Sequence, residues 1–474
     1  MRLVVVGGGM VGARLVEDLV AGDGDGRFTI TVLGDEPGPS YNRVLLSEVV
    51  AGRASEESIR SAPLTHPRVR HVTAAATRID RQDRVVVDST GERHRYDFLV
   101  LATGAAARVP EVPGLDPLPG GVHVLRSLAD AREVVAGCAD ATRAVVVGGG
   151  VLGLEVATGL RGRGLGVSVV HPGGSVMDRQ LDAGAGGVVD LAMDDLGIGR
   201  HLGVGLAQVR SEAGSITGVG LSDERVVPTD LVVITAGTQP RTGLAERAGL
   251  PVRRGIVVGD DLASPDDRRI FAVGDCAEPP EGGSGLVAQG WAQAERLVHR
   301  LLDRTGAGAT AAPAAPDDVV KVKSATLDVV TMGLSGPGAR RPDDRALTLS
   351  DPGAGRHLEV VVRDGRLVAA TCVGAGELAT RLVLAYTQRE PVPADPAHLL
   401  LPVRQPVAAP ADPGAQVVCR CTGVSRARIE QAVADGAQDV AAVSATTRAA
   451  TGCGGCRDEV CALVRDLTAV PAEA

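Results

Sequence analysis

Four cysteines late in the chain fall into two tight pairs, Cys419-x-Cys421 in "VVCRCTG" and Cys453-x-x-Cys456 in "TGCGGC", with 31 residues between the pairs. In a reducing compartment close thiol pairs bind metal more often than they form structural disulfides. Zinc favours knuckles with two to four residues between the sulfurs, often joined by histidine. No histidine follows Cys419. A [2Fe–2S] centre takes two thiolates on each iron, so four cysteines complete it. The C-x-C pair suits a cluster iron at least as well as a zinc knuckle, and on spacing alone both metals stay open. The surroundings suit a buried anion. Gly423, Gly452, Gly454 and Gly455 let backbone N–H groups turn toward sulfur, while Arg420 and Arg457 add positive potential. Cys461 is surplus to the four ligands, and the scattered Cys138, Cys276 and Cys372 read as small packing residues.

A second chemistry is written in glycine. "VVVGGGMVG" (4–12) and "VVVGGGVLG" (145–153) are nearly the same string, each a β-branched run, then G-x-G-x-x-G, then a helical pattern. In such a turn the first glycine permits the sharp reversal, the second admits a pyrophosphate to the backbone, and the third lets helix and strand pack closely. The helix amino end then offers free N–H groups and a positive dipole to phosphate. One such motif is weak evidence; two in strand–turn–helix context, each followed by a second strand, are strong. Two dinucleotide sites in one chain suggest a hydride passed between two cofactors. "YDFLVLATG" (96–104), "DLVVITAG" (230–237) and "RRIFAVGD" (268–275) read as further buried strands ending in small-residue turns. Asp275, at a strand's carboxyl end, could bond a ribityl or ribose hydroxyl or merely cap its loop.

The elements that position these groups need several domains, because 474 residues exceed one ordinary core. Hydrophobic residues at 44% exclude a disordered chain, and a net charge of −9 without basic blocks argues against nucleic acid or an anionic membrane as the main partner. The start lacks the charged and apolar regions of a secretory signal, and no apolar run has membrane-spanning length, so a cytoplasmic protein is expected. "RTGAGATAAPAAPDD" (304–318) reads as a linker. Alternating runs with a hairpin turn at Asp364-Gly365 follow, then an amphipathic helix over 376–390. A proline-rich tether (391–414) leads to the cysteine unit, where a helix starts near Ser425 and ends at Gly436.

The set G-x-G-x-x-G, A-T-G, a second G-x-G-x-x-G-x-E and a late G-D resembles the two-dinucleotide flavoprotein reductases. "ITVLGDEPGPSYNRVLLSEVVAG" and "VVHPGGSVMDRQLD" are similar to the flavoprotein part of bacterial NAD(P)H nitrite reductases and to electron-transfer subunits of assimilatory nitrate reductases. C-x-C-x31-C-x2-C resembles the bacterioferritin-associated-ferredoxin-like (BFD-like) [2Fe–2S] domain. The resemblance implies an α/β two-dinucleotide-binding-domain flavoprotein, its FAD domain (1–113 and 241–303) interrupted by an NAD(P)H domain (114–240). A small α+β domain (319–390) and a small helical [2Fe–2S] domain (415–470) follow. It implies that Gly7, Gly9 and Gly12 hold the FAD pyrophosphate, with Asp35 or Glu36 at the adenosine ribose. Arg43 and Ser47 would lie along FAD, Thr103 and Gly104 close over it, and Gly274-Asp275 meet its ribityl chain. Gly148, Gly150, Gly153 and Gly237 would serve the nicotinamide cofactor, with Glu155 at its nicotinamide end. Ser47, Glu48 and Glu155 are the candidates nearest the chemistry.

This sequence departs from the related reductases where Ser-Lys often stands near the flavin; here it has Ser47-Glu48, so a lysine role at that place is lost. His171 stands where an acid selects NADH, leaving NADH against NADPH undecided. No C-x2–4-C follows either glycine motif, which excludes a redox disulfide beside the flavin. The α+β domain is expected to provide packing and the subunit contact of a homodimer, without chemistry. Sirohaem or molybdopterin chemistry has no residues left to carry it, so the terminal acceptor is expected on another polypeptide, a nitrate or nitrite reductase catalytic subunit. The alternatives are a general ferredoxin- or rubredoxin-type reductase, and a nucleotide-binding redox sensor with a structural zinc.

Overall fold

The computed structural model describes residues 1–302, 318–333, 340–401, 414, 416–419, 424–452 and 455–468. Residues 304–317 of the expected linker and 402–413 of the proline-rich tether fall outside the described residues, as do Arg420, Cys421, Gly423, Cys453 and Gly454.

Two open sheets hold the glycine turns. The first runs, in spatial order, Ala263–Ser264, Asp267–Ala272, Phe98–Leu101, Arg2–Val6, Thr29–Gly34 and Val69–Thr73. All its pairings are parallel except the first. The chain thus leaves this sheet after Leu101 and returns to it at Ala263, which is the interrupted order expected from the sequence. The second sheet, all parallel, runs Ile198–Leu202, Gly166–His171, Arg143–Val147, Leu231–Ile234 and Val122–Val124. Both central strands are fully apolar after their first residue because helices or further layers cover both faces of such sheets.

Helix α1 (Met10–Gly22) leaves the first glycine turn, and the short α2 (Leu46–Val50) follows downstream. Helix α3 (Val151–Gly162) leaves the second turn, and α4 (Val287–Leu301) packs against α1. Their approach explains Gly290, where a Cβ would stand 2.5 Å from a Val11 methyl carbon.

A third, antiparallel sheet runs Val320–Lys321, Val329–Gly333, Arg366–Val373, Arg356–Arg363 and Arg345–Asp351, backed by α5 (Glu377–Thr387). Its hairpin turns at Asp364-Gly365, with φ of 50° and 68°, the paired left-handed conformation that a two-residue turn requires. The last unit holds α6 (Arg426–Ala434), α7 (Val440–Thr447) and α8 (Arg457–Thr468) around its own core of Val418, Ile429, Val443 and Val460. Ser425 precedes α6 in extended conformation, and Gly436, at φ 108°, makes the turn that ends it. Among the described residues no helix is long and apolar enough to cross a membrane.

Candidate active site

The two turns are built alike. Gly7 and Gly148 sit at φ 116° and 117°, conformations that a side chain resists. A Cβ on Gly12 would lie 2.0 Å from the Gly7 carbonyl oxygen, and one on Gly153 would lie 1.9 Å from that of Gly148. These contacts leave no room for any other residue. The middle glycines differ: nothing lies within 4 Å of a Cβ on Gly150, and only the Arg43 guanidinium approaches one on Gly9. Close packing at the outer glycines and open space at the middle one form a cradle that fits a pyrophosphate, with the amino ends of α1 and α3 behind it.

The first turn opens into a cavity of about 2120 Å³. That exceeds the ~300–1,000 Å³ of an ordinary small-molecule site; Gly148, Gly150 and Gly153 of the second turn do not border it, while Val151 and Glu155 of the helix that follows them do. Gly7, Gly9, Asp35, Glu36, Arg43, Thr103, Gly104, Gly274 and Asp275 border it, as do Glu48 and Glu155. Gly237 does not border it; it sits at φ 100° with its carbonyl accepting from the Arg108 N–H at 3.0 Å.

Within the cavity the charged groups are held in fixed pairs. The Glu36 carboxylate accepts from the Tyr41 hydroxyl at 2.5 Å and from the Arg43 guanidinium, which lies over the Tyr41 ring at 4.8 Å. Burial alone would raise the Glu36 pKa, but these two donors outweigh it and hold the group below the usual carboxylate range. Burial pushes the Tyr41 phenol up to about 12. Asp275 is held by Arg126, whose Nε donates to the Ala105 carbonyl at 3.0 Å. Thr103 Oγ1 donates to the Arg241 carbonyl at 2.7 Å, and the Gly104 carbonyl accepts from the Arg241 N–H at 2.9 Å.

Glu155 and Ser47, far apart in sequence, meet in full burial, 2% and 0% exposed: Ser47 Oγ donates to Glu155 Oε2 at 2.6 Å. Glu48, also on the cavity, is paired instead with Arg53, at 2.7 Å. The other oxygen of Glu155, Oε1, accepts from the backbone N–H of Lys323 at 2.9 Å and from its Nζ at 2.5 Å. Lys323 belongs to the α+β unit for which the sequence suggested packing alone, so that expectation needs correcting. A lysine is present in the cavity after all, supplied from 168 positions downstream of Glu155.

Other residues escaped the sequence reading. Buried Gln293 on α4 accepts the Gly274 N–H at 2.7 Å and so fixes the Gly-Asp turn. Trp291, the chain's single tryptophan, lines the cavity under Arg14, whose guanidinium lies 5.8 Å from its ring. Its buried indole N–H has no partner among the described residues. A polar aromatic in a glycine-poor helix facing the G-x-G-x-x-G helix is the signal that could have pointed to it. His171 packs across the second turn, 2.8 Å from where a Gly149 Cβ would be, with its Nε2 3.4 Å from Asp178.

Two of the four cysteines expected as ligands lie among the described residues. Cys419 and Cys456 are 0% and 7% exposed in one core, and Cys456 also borders the large cavity. Two buried sulfurs from either end of the unit, with a thiol donor set and no histidine beside them, fit a cluster held by cysteines alone. The lone Cys276 and Cys372 are buried packing residues, and burial raises both thiol pKa values, that of Cys372 to about 12.

The pyridine nucleotide-disulphide oxidoreductase family model matches residues 1–295, and a BFD-like [2Fe–2S] binding domain model matches residues 417–466. The chain belongs to the pyridine nucleotide-disulphide oxidoreductase family. That family implies binding of FAD and NAD(P)H, and the second match a [2Fe–2S] cluster. The chain is 35% identical to the NAD(P)H nitrite reductase large subunit of Klebsiella oxytoca, over 96% of this chain and 48% of that protein. With the assimilatory nitrate reductase electron transfer subunit of Bacillus subtilis it shares 28% identity, over 98% of this chain and 60% of that one. Rhodocoxin reductase of Rhodococcus erythropolis is 36% identical over 60% of this chain and 67% of its own. The chain spans about half the length of the nitrite and nitrate reductase relatives it matches. Among solved structures, a covalent putidaredoxin reductase–putidaredoxin complex superposes with a TM-score of 0.71 at 25% identity, over 84% of this chain and 95% of that one.

Proposed function

We propose that this family member oxidises NAD(P)H in the cytoplasm and passes the electrons through FAD and the [2Fe–2S] cluster to a separate acceptor, an assimilatory nitrate or nitrite reductase catalytic subunit. The observation that carries the reading is a single cavity bordered by the first glycine turn, by Glu155 and Lys323, and by Cys456. The nitrite reductase large subunit and the nitrate reductase electron transfer subunit that the chain resembles over nearly its whole length support the choice of acceptor. Bound FAD supplies hydride acceptance and stepwise electron release, and the cluster supplies one-electron transfer.

The residues have distinct tasks. Gly7, Gly9 and Gly12 shape the FAD pyrophosphate cradle, and Gly148, Gly150 and Gly153 that of the nicotinamide cofactor. Asp35 or Glu36 meets the adenosine ribose, with Arg43 fixing Glu36. Arg126 orients Asp275 toward the ribityl chain, and Thr103-Gly104 closes the cavity wall. Ser47 and Lys323 fix the Glu155 carboxylate in one rotamer, and Lys323 would supply a cation to the cavity that holds a bound flavin. Cys419, Cys421, Cys453 and Cys456 hold the cluster.

Cys456→Ser is the test. The variant should keep flavin, keep NADH-dependent reduction of ferricyanide, and lose reduction of the nitrate or nitrite reductase subunit. Undiminished delivery to that subunit would refute the route.

A further inference from the structure

The cluster-bearing unit touches the flavin-binding part at three places around the cavity. Asn42 Nδ2 donates to the carbonyls of Thr451, at 3.2 Å, and Gly452. Arg457 Nη1 donates to the Ser58 carbonyl at 3.1 Å. The third contact is ionic: Arg448 Nη1 donates to Asp18 Oδ1 at 2.6 Å, and its Nη2 lies 3.6 Å from Glu17 Oε2. Both carboxylates stand on α1, the helix that starts at the first glycine turn.

Arg448 is an unexpected residue for its place. It ends α7 in the left-handed conformation, φ 68°, and Ala450 follows at φ 61°. Glycine is the residue that favours such a helix end. That backbone conformation does not itself call for an arginine, and the side chain reaches the carboxylates of α1.

We propose that Arg448 is a docking residue. By pairing with Asp18 and Glu17 it holds the cluster-bearing unit against α1, with Cys456 on the cavity, and so governs transfer from flavin to cluster but not hydride transfer to flavin. The inference rests on the electron route proposed above. In that route the hydride and one solvent proton taken up by FAD leave as two electrons, one at a time across this interface, and two protons to solvent. Each electron reduces one oxidised cluster, which passes it to the acceptor. Arg448 is 31% exposed and Asp18 22%, so their attraction is open to screening by salt.

The full-length holoprotein tests this with Arg448→Gly, which suits the left-handed helix end, and with Asp18→Asn, which leaves the cluster-bearing unit untouched. Both should keep iron and flavin content and reduce flavin with NADH at the wild-type rate in stopped flow. Both should slow the later bleaching of the cluster at least tenfold, while Arg448→Lys stays near wild type. Added salt should slow that phase in wild type and leave Arg448→Gly unchanged. Without NADH, amide hydrogen exchange over residues 14–22 and 451–457 should quicken in both variants. Wild-type cluster-reduction rates and exchange in both variants would overturn the docking role alone. A wild-type protein whose flavin is reduced while its cluster never is would remove the electron route, and the docking role with it.

Discussion

The turns at Gly7–Gly12 and Gly148–Gly153 have nearly the same backbone and the same forbidden Cβ positions, yet opposite charges stand two residues after each third glycine. After Gly12 comes Arg14, partly exposed, paired with Asp18 at 2.6 Å and lying over Trp291. After Gly153 comes Glu155, buried and bonded to Ser47 and Lys323. The comparison separates what a dinucleotide cradle requires from what a particular cofactor's neighbour requires. Backbone geometry repeats because pyrophosphate is common to both cofactors. The side chains diverge with their neighbours: the first helix meets Arg448 of the cluster-bearing unit, and the second meets Ser47 and, from the third sheet's unit, Lys323.

The largest effects should come from breaking the shared part. Gly12→Ala and Gly153→Ala each force a Cβ against a carbonyl oxygen and should destabilise their own unit by about 3 kcal/mol, measured by chemical denaturation. They should part in function: Gly12→Ala loses flavin, seen in the visible absorbance of purified protein, while Gly153→Ala keeps flavin and loses its reduction by NADH.

Next in size is the divergent position. Glu155→Gln removes the counter-charge of Lys323 and should slow flavin reduction by about 10²-fold in single turnover, with Lys323→Met close behind. Arg14→Gln, at the equivalent place after the first turn, should change that step by less than about threefold. Equal effects at both positions would mean that the two helices are not specialised.

The smallest effect concerns the base of the second sheet. Asp230 accepts from Thr142 Oγ1 at 2.7 Å and from the Thr142 and Arg143 N–H groups at 3.1 and 3.0 Å. The Thr142 hydroxyl bond leads in lowering its pKa from 3.8 to about 2. A carboxyl with a depressed folded pKa adds stability above its unfolded value and loses it as pH falls through the folded one. Asp230→Asn should therefore cost about 1 kcal/mol at neutral pH, given its solvent exposure, and nothing measurable near pH 2. Urea denaturation at both pH values checks this, and a first-sheet control lacking the contact should show no such difference.

The sequence made the cradles legible because their constraints are local: a left-handed φ and a carbonyl at 2 Å fall within one turn. The helix after Ser425 and the hairpin at Asp364-Gly365 were legible for the same reason. What escaped was long-range. Lys323 reaches Glu155 from another sheet, Gln293 fixes Gly274 from a later helix, and Arg448 finds Asp18 across 430 positions. No periodicity encodes such meetings, since each depends on how finished units pack. Asp275 shows the intermediate case: its place at a strand end was readable, its hold on Arg126 was not.

One measurement tests the central claim most directly: anaerobic titration of the iron-replete protein with NADH, following flavin and cluster bands together. The account predicts uptake of about three electrons per chain, two by flavin and one by the cluster. Saturation at about two electrons, with the iron–sulfur absorbance unchanged, would contradict it.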